Sequence, residues 1–175
     1  MVLRASVRDK EGRAVPGLQE RNFRGDEDGR PQAIRVVREE DVPVIVGLVI
    51  DNSASMYGKR SDVTAAAVAF ARSSNPGDEM FVVHFNERVT LGLPDTKLFS
   101  ASAAELESAL LKPLPAARTA LYDAISEALA HLEKSAGERR VLVVFSDGGD
   151  NASKHTLRVC QKINRTSLGN FVLYS

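Results

Sequence analysis

Apolar runs alternate with amphipathic segments along most of this chain, from residue 43 onward. Near-continuous apolar runs predict strands over 44–50, 80–85, 140–145 and 171–173. Apolar residues at helical spacing predict helices over 60–73, 103–111, 120–134 and 155–163. Residues 87–93 follow a polar bend and are predicted to return as an antiparallel edge strand. Because strands this apolar need burial on both faces, the order predicts an α/β fold: a doubly wound, mostly parallel sheet with helices on both faces.

Residues 1–42 follow a different pattern. Alternating polar and apolar positions predict short strands over 2–8 and 32–40, and the sequence EDGRP predicts a polar turn at 27–31. Helical periodicity is absent there. Since so few apolar residues cannot form a core of their own, we expect this β-rich segment to pack on a second domain, 43–175.

Composition excludes several classes of partner. The chain has 23 basic and 23 acidic side chains, so it lacks the positive excess that nucleic acids and anionic membranes select. Apolar runs all fall short of the roughly 18 residues that cross a bilayer, and the N-terminus lacks the apolar stretch of a signal peptide. An exported protein would therefore carry its signal outside this chain. Cys160 is the only cysteine, which excludes an internal disulfide or a cysteine-based metal cage.

Oxygen-bearing side chains follow the predicted strands. Asp51, Ser53 and Ser55 come after the first strand, Asp147 follows the strand 140–145, and Thr119 precedes a helix. Ligands of doubly wound sheets bind outside the carboxyl ends of the strands, so these side chains can converge. Hard oxygen ligands with few carboxylates suit Mg²⁺. The alternatives are an N-cap at the first strand end and a plain turn around Asp147.

These motifs, in this order, carry a family resemblance. Asp51-x-Ser53-x-Ser55, then Thr119, then Asp147 resemble the metal-ion-dependent adhesion site of von Willebrand factor A-type domains, from about Val44 to the C-terminus. Residues 7–23 followed by 27–34 also resemble the β-rich lead-in of a bacterial subgroup of these proteins, usually found in larger exported chains. The resemblance implies a Rossmann-like fold and a protein that is extracytoplasmic or secreted in a bacterium.

The resemblance also implies how the site works. Ser53 and Ser55 would bind Mg²⁺ directly, with Mn²⁺ or Ca²⁺ as alternatives, while Asp51 and Asp147 bind it directly or through water. Thr119 would join or leave the coordination shell as the ligand arrives. An Asp or Glu of a protein partner would take the remaining position, because an ion with few carboxylate ligands keeps much of its charge. The residues expected to form the rim that tunes specificity are Asn52, Tyr57, Arg118 and Asp150.

Two features depart from the family pattern. Ala116-Ala117-Arg118 stands where relatives commonly have glycines before the threonine. The Arg118 guanidinium could lie close to the ion, repel it, or meet the partner's carboxylate. The chain also stops just after the fifth strand of the family core, where relatives continue with a strand and a helix, so we expect a domain truncated at its C-terminus.

Two further functions compete with this non-enzymatic binding module. Some members of the family lose the metal and act as scaffold subunits of larger assemblies. A Mg²⁺-dependent phosphate hydrolase of the haloacid dehalogenase type needs an acid–base carboxylate two residues after its nucleophile, where this chain has Ser53. The histidines do not indicate catalysis: His84 is predicted to be a strand residue, and His131 and His155 to lie on helix surfaces.

Overall fold

The computed structural model describes residues 7–11, 15–34, 36, 43–112, 114–115, 117–137, 139–156, 158 and, by backbone alone, 169–174. The chain divides into two compact units, Met1–Asp41 and Val42–Ser175. That the first unit packs on the second stays a prediction.

The first unit contains a β-hairpin. Strands β1 (Gly25–Glu27) and β2 (Arg30–Gln32) pair in antiparallel fashion. Asp28 and Gly29 between them have φ values of 51° and 74°, which is the left-handed backbone that a two-residue hairpin turn requires. The prediction of a strand over 32–40 was wrong for residues 33, 34 and 36, which belong to no strand. Residue 32 ends β2, and the remaining residues of this range lie outside the described part of the chain. Of the strand predicted over 2–8, only residues 7 and 8 are described.

The second unit is built on a five-stranded sheet. Its strands are β3 (Val44–Asp51), β4 (Glu79–Phe85), β5 (Val89–Leu91), β6 (Arg139–Phe145) and β7 (Gly169–Tyr174). Their spatial order is β5-β4-β3-β6-β7, and every pair is parallel except β4 with β5. This confirms the predicted sheet and its antiparallel edge strand, which is shorter than the predicted 87–93. The central strand β3 has β4 on one side and β6 on the other, so strand order reverses beside it.

Three helices follow the predicted pattern. They are α1 (Arg60–Ser73), α2 (Ala103–Leu110) and α3 (Leu121–Leu132). A 3-10 helix, Ala54–Lys59, joins β3 to α1 and was not predicted. The helix predicted over 155–163 lies mostly outside the described residues. In the described part of the chain, none of the helices combines the length and apolar character needed to span a bilayer.

The helices cover both faces of the sheet. His84 on β4 contacts the Ala109 carbonyl of α2, against which α1 packs. Phe81, three residues earlier on the same strand, points to the other face, where its ring lies 4.5 Å from the ring of His131 on α3. The expectation that His131 lies on a helix surface was wrong, because this side chain is 2% exposed. The largest fully buried apolar side chains are Phe81, Phe85, Leu48, Met80, Leu106, Leu129, Leu132 and Leu142.

Candidate metal centre at the carboxyl ends of the strands

Asp51 ends the central strand at the point where strand order reverses. Its side chain is 1% exposed, and each carboxylate oxygen accepts one hydrogen bond. Oδ1 accepts from the backbone N–H of Ser53 at 2.8 Å, and Oδ2 accepts from the hydroxyl of Ser146 at 2.7 Å. Ser146 lies one residue beyond β6, directly after the last registered pair of the two strands, Ile50 with Phe145. Both donors are neutral, and together they orient the carboxylate.

The two serine hydroxyls of the Asp51 loop lie together. Ser53 is buried and Ser55 is exposed, and their Oγ atoms are 3.1 Å apart. This separation is a hydrogen bond between the two hydroxyls, and it is also close to the roughly 3.0 Å between neighbouring oxygens of an octahedral Mg²⁺ complex with bonds of about 2.1 Å. Ser53 occupies the N-cap position of the 3-10 helix, yet within the described residues its side chain makes no capping hydrogen bond. The Ser53 side chain therefore does not cap this helix, and the spacing of the two hydroxyls is compatible with neighbouring positions around Mg²⁺.

The segment from Ala117 to Thr119 is held against both neighbouring loops by backbone hydrogen bonds. The N–H of Thr119 donates to Oδ1 of Asn151 at 2.8 Å, and its carbonyl accepts from the N–H groups of Asn151 and Ala152. Two residues earlier, the carbonyl of Ala117 accepts from the N–H of Ala54 at 3.0 Å. Hydrogen bonds thus join the Asp51 loop, the Thr119 loop and the loop after β6. Thr119 itself is 5% exposed.

Asp147 follows Ser146 and is exposed at the start of a tight turn. Gly148 next to it has a φ of 82°, a conformation that glycine adopts without strain, and its N–H donates to the Ser146 hydroxyl at 3.1 Å. Across the described residues, no three His, Cys, Asp or Glu side chains are grouped so that they could hold a metal ion. The candidate set differs from such a group, because it combines two carboxylates with hydroxyls.

Asn86 positions the Thr119 loop and was missed from the sequence. Its side chain amide donates to the carbonyl of Pro115 at 2.9 Å, and its own carbonyl accepts from the N–H of Ala120 at 2.7 Å. The residue is 5% exposed. A pattern indicated it: like Asp51 and Ser146, Asn86 is a polar residue at the carboxyl end of a sheet strand.

Arg60 is a second residue that sequence reasoning missed. Its guanidinium donates to the carbonyl of Leu114 at 3.1 Å and to the carbonyl of Asn52. The same group lies over the ring of Tyr57, 5.7 Å from its centroid. Arg60 therefore ties the start of α1 to both the Asp51 loop and the segment leading to Thr119.

Tyr57 and Arg118, both predicted to form the rim, are exposed. Tyr57 is 74% exposed. The side chain of Arg118 is 67% exposed, and its Nε lies 3.7 Å from a carboxylate oxygen of Glu87. The structure shows the Arg118 guanidinium paired with Glu87 on the surface. Its effect on a bound ion or on a partner's carboxylate stays a prediction.

Asn52, the third rim prediction, points away from the surface. It is 7% exposed, and its side chain amide donates to the carbonyl of Ile50 and to Nδ1 of His84, both at 3.1 Å. The rim assignment was wrong because Asn52 turns its side chain toward the α2 face of the sheet. Asp51, one residue earlier, faces Ser146 on the α3 side.

Asp150, the fourth rim prediction, holds the N-terminus of α3. Its Oδ2 accepts from the N–H of Tyr122 at 3.0 Å and from the hydroxyl of Ser153 at 2.6 Å. The Ser153 oxygen in turn accepts from the N–H of Asp123 at 3.1 Å. Asp150 is half-buried, and its carboxylate satisfies helix amides that otherwise lack partners. Its observed contacts are those of a helix cap supplied by a distant loop.

The loop after β6 is also fastened to α3 through Asp123. This carboxylate accepts from the backbone N–H groups of Lys154 and His155 and from the His155 ring at 2.8 Å. Burial raises the pKa of Asp123, but these hydrogen bonds outweigh it and lower the pKa below its usual value. The loop that carries Asp147 is thus anchored at both of its ends.

The free energy of unfolding is expected to depend on pH because of His84. Burial lowers the pKa of His84, a nearby Lys112 lowers it further, and the hydrogen bond to Ala109 opposes the shift. Between the unfolded value of about 6.5 and the lower folded value, the unfolded chain binds more protons, so the free energy of unfolding should fall as pH decreases through this range. We expect urea unfolding at pH 7.5, 6.5 and 5.5 to show this loss. His84→Gln should reduce the pH dependence, and an identical pH dependence in the variant would contradict the assignment.

Comparison with known proteins agrees with this fold. A family model of the von Willebrand factor type A domain matches residues 46–149. No curated protein matches at the sequence level. Solved structures do match, at identities below 25%, so they bear on the fold.

Three solved structures illustrate the likeness. The von Willebrand factor type A protein of Catenulispora acidiphila is 20% identical over 75% of this chain, with a TM-score of 0.60. The corresponding domain of the type V pili tip protein Mfa5 from Porphyromonas gingivalis is 24% identical over 62%, with a TM-score of 0.51. The pilus adhesin SpaC from Lactobacillus rhamnosus GG is 17% identical over 65%, with a TM-score of 0.54. This chain spans 32%, 39% and 16% of their respective lengths.

Proposed function

This chain belongs to the von Willebrand factor type A domain family, whose members are generally protein-interaction modules, and on that premise we propose that it captures an acidic residue of a protein partner through a bound Mg²⁺ ion. The protein would catalyse no reaction of its own. The observation that carries the proposal is the meeting of the Asp51, Thr119 and Asp147 loops, joined by hydrogen bonds at the carboxyl edge of the sheet.

Each candidate ligand has a physical role in this proposal. Ser53 and Ser55 present hydroxyl oxygens at a separation that suits neighbouring positions around Mg²⁺. Asp51 is held by Ser146 and supplies negative charge from a buried position, while Asp147 supplies it from the exposed side. Thr119 would contribute its hydroxyl from a loop that backbone hydrogen bonds to Asn151 and Ala152 hold in place. The bound cation would supply positive charge that attracts a carboxylate from the partner.

The exposed rim supports an acidic partner. Arg118 already pairs with a carboxylate, that of Glu87, in a solvent-exposed contact. Exposed ion pairs are worth at most about 1 kcal/mol, so a carboxylate of the partner can replace Glu87 at small cost. Tyr57, 74% exposed, offers aromatic surface beside the Asp51 loop. Such residues are common at the energetically important positions of protein interfaces.

We place the protein on a bacterial surface as part of the same proposal. Two of the structures with this fold are a pilus tip protein and a pilus adhesin. Adhesion requires a domain that binds its partner without altering it chemically. A partner carboxylate coordinated to a bound cation would provide such binding.

Thermal unfolding tests whether the protein binds Mg²⁺. At a Mg²⁺ concentration about 100 times Kd, binding to the folded state adds about 2.7 kcal/mol, or about 5–10 °C for a chain of this size. We expect this rise in the wild type, its reversal by a chelator, and its loss in Ser53→Ala. Ser135→Ala is the matched control, because Ser135 is also a buried serine but lies beyond α3, bonded to the Leu132 carbonyl. A wild-type melting temperature that does not change when Mg²⁺ is added would refute the proposal.

A further inference from the structure

The residue between the first two candidate ligands has its polar groups engaged inside the protein. The backbone N–H of Asn52 donates to the Phe85 carbonyl at 2.7 Å, and its carbonyl accepts from Arg60. Its side chain N–H groups donate to Ile50 and to His84. At 7% exposure, Asn52 cannot contact a partner, so its side chain acts on the loop that contains it.

The ring of His84 is arranged to receive that side chain. His84 is 1% exposed and lies on β4 beside Ile50 of β3. Its Nε2 faces the Ala109 carbonyl at 2.8 Å, and since a carbonyl only accepts, Nε2 carries the hydrogen. Nδ1 is therefore the acceptor for the Asn52 amide at 3.1 Å. The contact needs the neutral ring, which is the form that burial favours.

We propose that Asn52 and His84 are positioning residues for the Asp51 loop, residues 51–55: the His84 Nδ1 acceptor holds Asn52 inward, and this turns Asp51 and Ser53 toward the ion. The physical reason is the alternation of side chains along an extended chain, which sends Asn52 to one face and its two neighbours to the other. Without the hydrogen bond from Asn52 to His84, the chain loses one of the contacts that fix the side chain directions of Asp51, Asn52 and Ser53 at the end of β3. The inference rests on the proposed Mg²⁺ site.

Two substitutions at His84 distinguish the contributions of its two ring nitrogens. The side chain oxygen of Asn in His84→Asn can lie near the position of Nδ1, so this variant keeps an acceptor for Asn52 and loses the contact with Ala109. His84→Gln reaches the position of Nε2 and keeps the contact with Ala109, but it removes the acceptor at Nδ1. A residue that merely fills the core would not distinguish these two variants in metal affinity.

Titration calorimetry with Mg²⁺ at pH 7.5 measures the effect. Polar groups that orient metal ligands typically change affinity by about 10–100-fold when removed. We expect Asn52→Ala and His84→Gln to raise Kd at least about tenfold, and His84→Asn to stay within about threefold of the wild type. His131→Gln is the matched control, because His131 is equally buried and bonds the Leu98 carbonyl, but it lies on α3 against Phe81, near the other end of β4. Its Kd should not change.

The outcomes separate this inference from the proposed function. If the wild type binds Mg²⁺ and folded Asn52→Ala and His84→Gln bind it equally well, the positioning role is refuted and the site stands. Equal losses in His84→Asn and His84→Gln would also refute it. A wild type that binds no Mg²⁺ refutes the proposed function and this inference together. Should a variant not fold, imidazole nitrogen NMR of the wild type decides: Mg²⁺ should shift the His84 Nδ1 resonance and leave that of His131 unmoved.

Discussion

Asp51→Ala should abolish the response to Mg²⁺ and raise its Kd at least about 100-fold, because the variant removes the buried charge of the site and the acceptor that holds Ser146 and Ser53. Two buried donors would then lack partners, at about 1–3 kcal/mol each. Calorimetric Mg²⁺ titration and urea unfolding without metal measure the two effects separately.

Asp51→Asn distinguishes the loss of charge from the loss of structure. The Asn oxygen can still accept from the Ser53 N–H, and the Ser146 hydroxyl can rotate to accept from the Asn amide. We expect a folded protein that does not bind Mg²⁺. Asp78→Asn is the control at the other end of β3, where Asp78 accepts from the N–H of Val44 at 2.9 Å; it should lose stability and keep its response to Mg²⁺. Unchanged Mg²⁺ affinity in Asp51→Asn would contradict the role of this carboxylate.

Gly47→Ala should destabilise the protein strongly although it adds a single methyl group, because Gly47 lies in the middle of β3 where its neighbours already touch. A Cβ there would lie 2.4 Å from Cδ2 of Leu142 and 2.5 Å from Cζ of Phe81. Both side chains are at most 2% exposed and cannot move outward. Overpacking of this kind costs about 1–3 kcal/mol, occasionally more, and at Gly47 we expect about 3 kcal/mol in urea unfolding.

Gly58→Ala is the matched control for Gly47→Ala. Gly58 lies in the 3-10 helix, and a Cβ there meets no heavy atom within 4 Å, so the change should be within about 0.5 kcal/mol of neutral or stabilising. Leu142→Ala should relieve part of the clash, so that the double variant is less destabilised than the sum of the two single variants. Equal stabilities of Gly47→Ala and Gly58→Ala would contradict the close packing around β3.

The elements that could be predicted from the sequence are those whose burial shows in the pattern. Most residues of β3, β4 and β6 are apolar because helices cover both faces of the sheet, and α1 begins and ends as predicted. Asp51 ends β3 and Asp147 follows β6 by two residues, and the carboxyl ends of parallel strands are adjacent by topology. Both inferences need only the periodicity of the chain and the order of its elements.

The contacts around the site could not be predicted, because they depend on where side chains turn after each strand ends. Asn52 was assigned to the rim, yet it continues the alternation of β3 and points inward to His84. Asp150 was assigned there too, yet it caps a helix whose N-terminus is 28 residues away in sequence. The hydrogen bond from Ser146 to Asp51 can be inferred only once the register of β6 against β3 is known. Register and loop direction are properties of packing, which a single sequence does not show.

Anomalous diffraction from crystals grown with Mn²⁺ tests most directly whether a hard divalent ion binds at this edge of the sheet, since Mn²⁺ takes oxygen ligands in the same octahedral geometry. We expect one anomalous peak bonded to the hydroxyls of Ser53 and Ser55 and beside Asp51, lost in crystals of Asp51→Asn. Crystals soaked in millimolar Mn²⁺ that show no peak at these hydroxyls, or a peak only elsewhere, would contradict a metal site at this position.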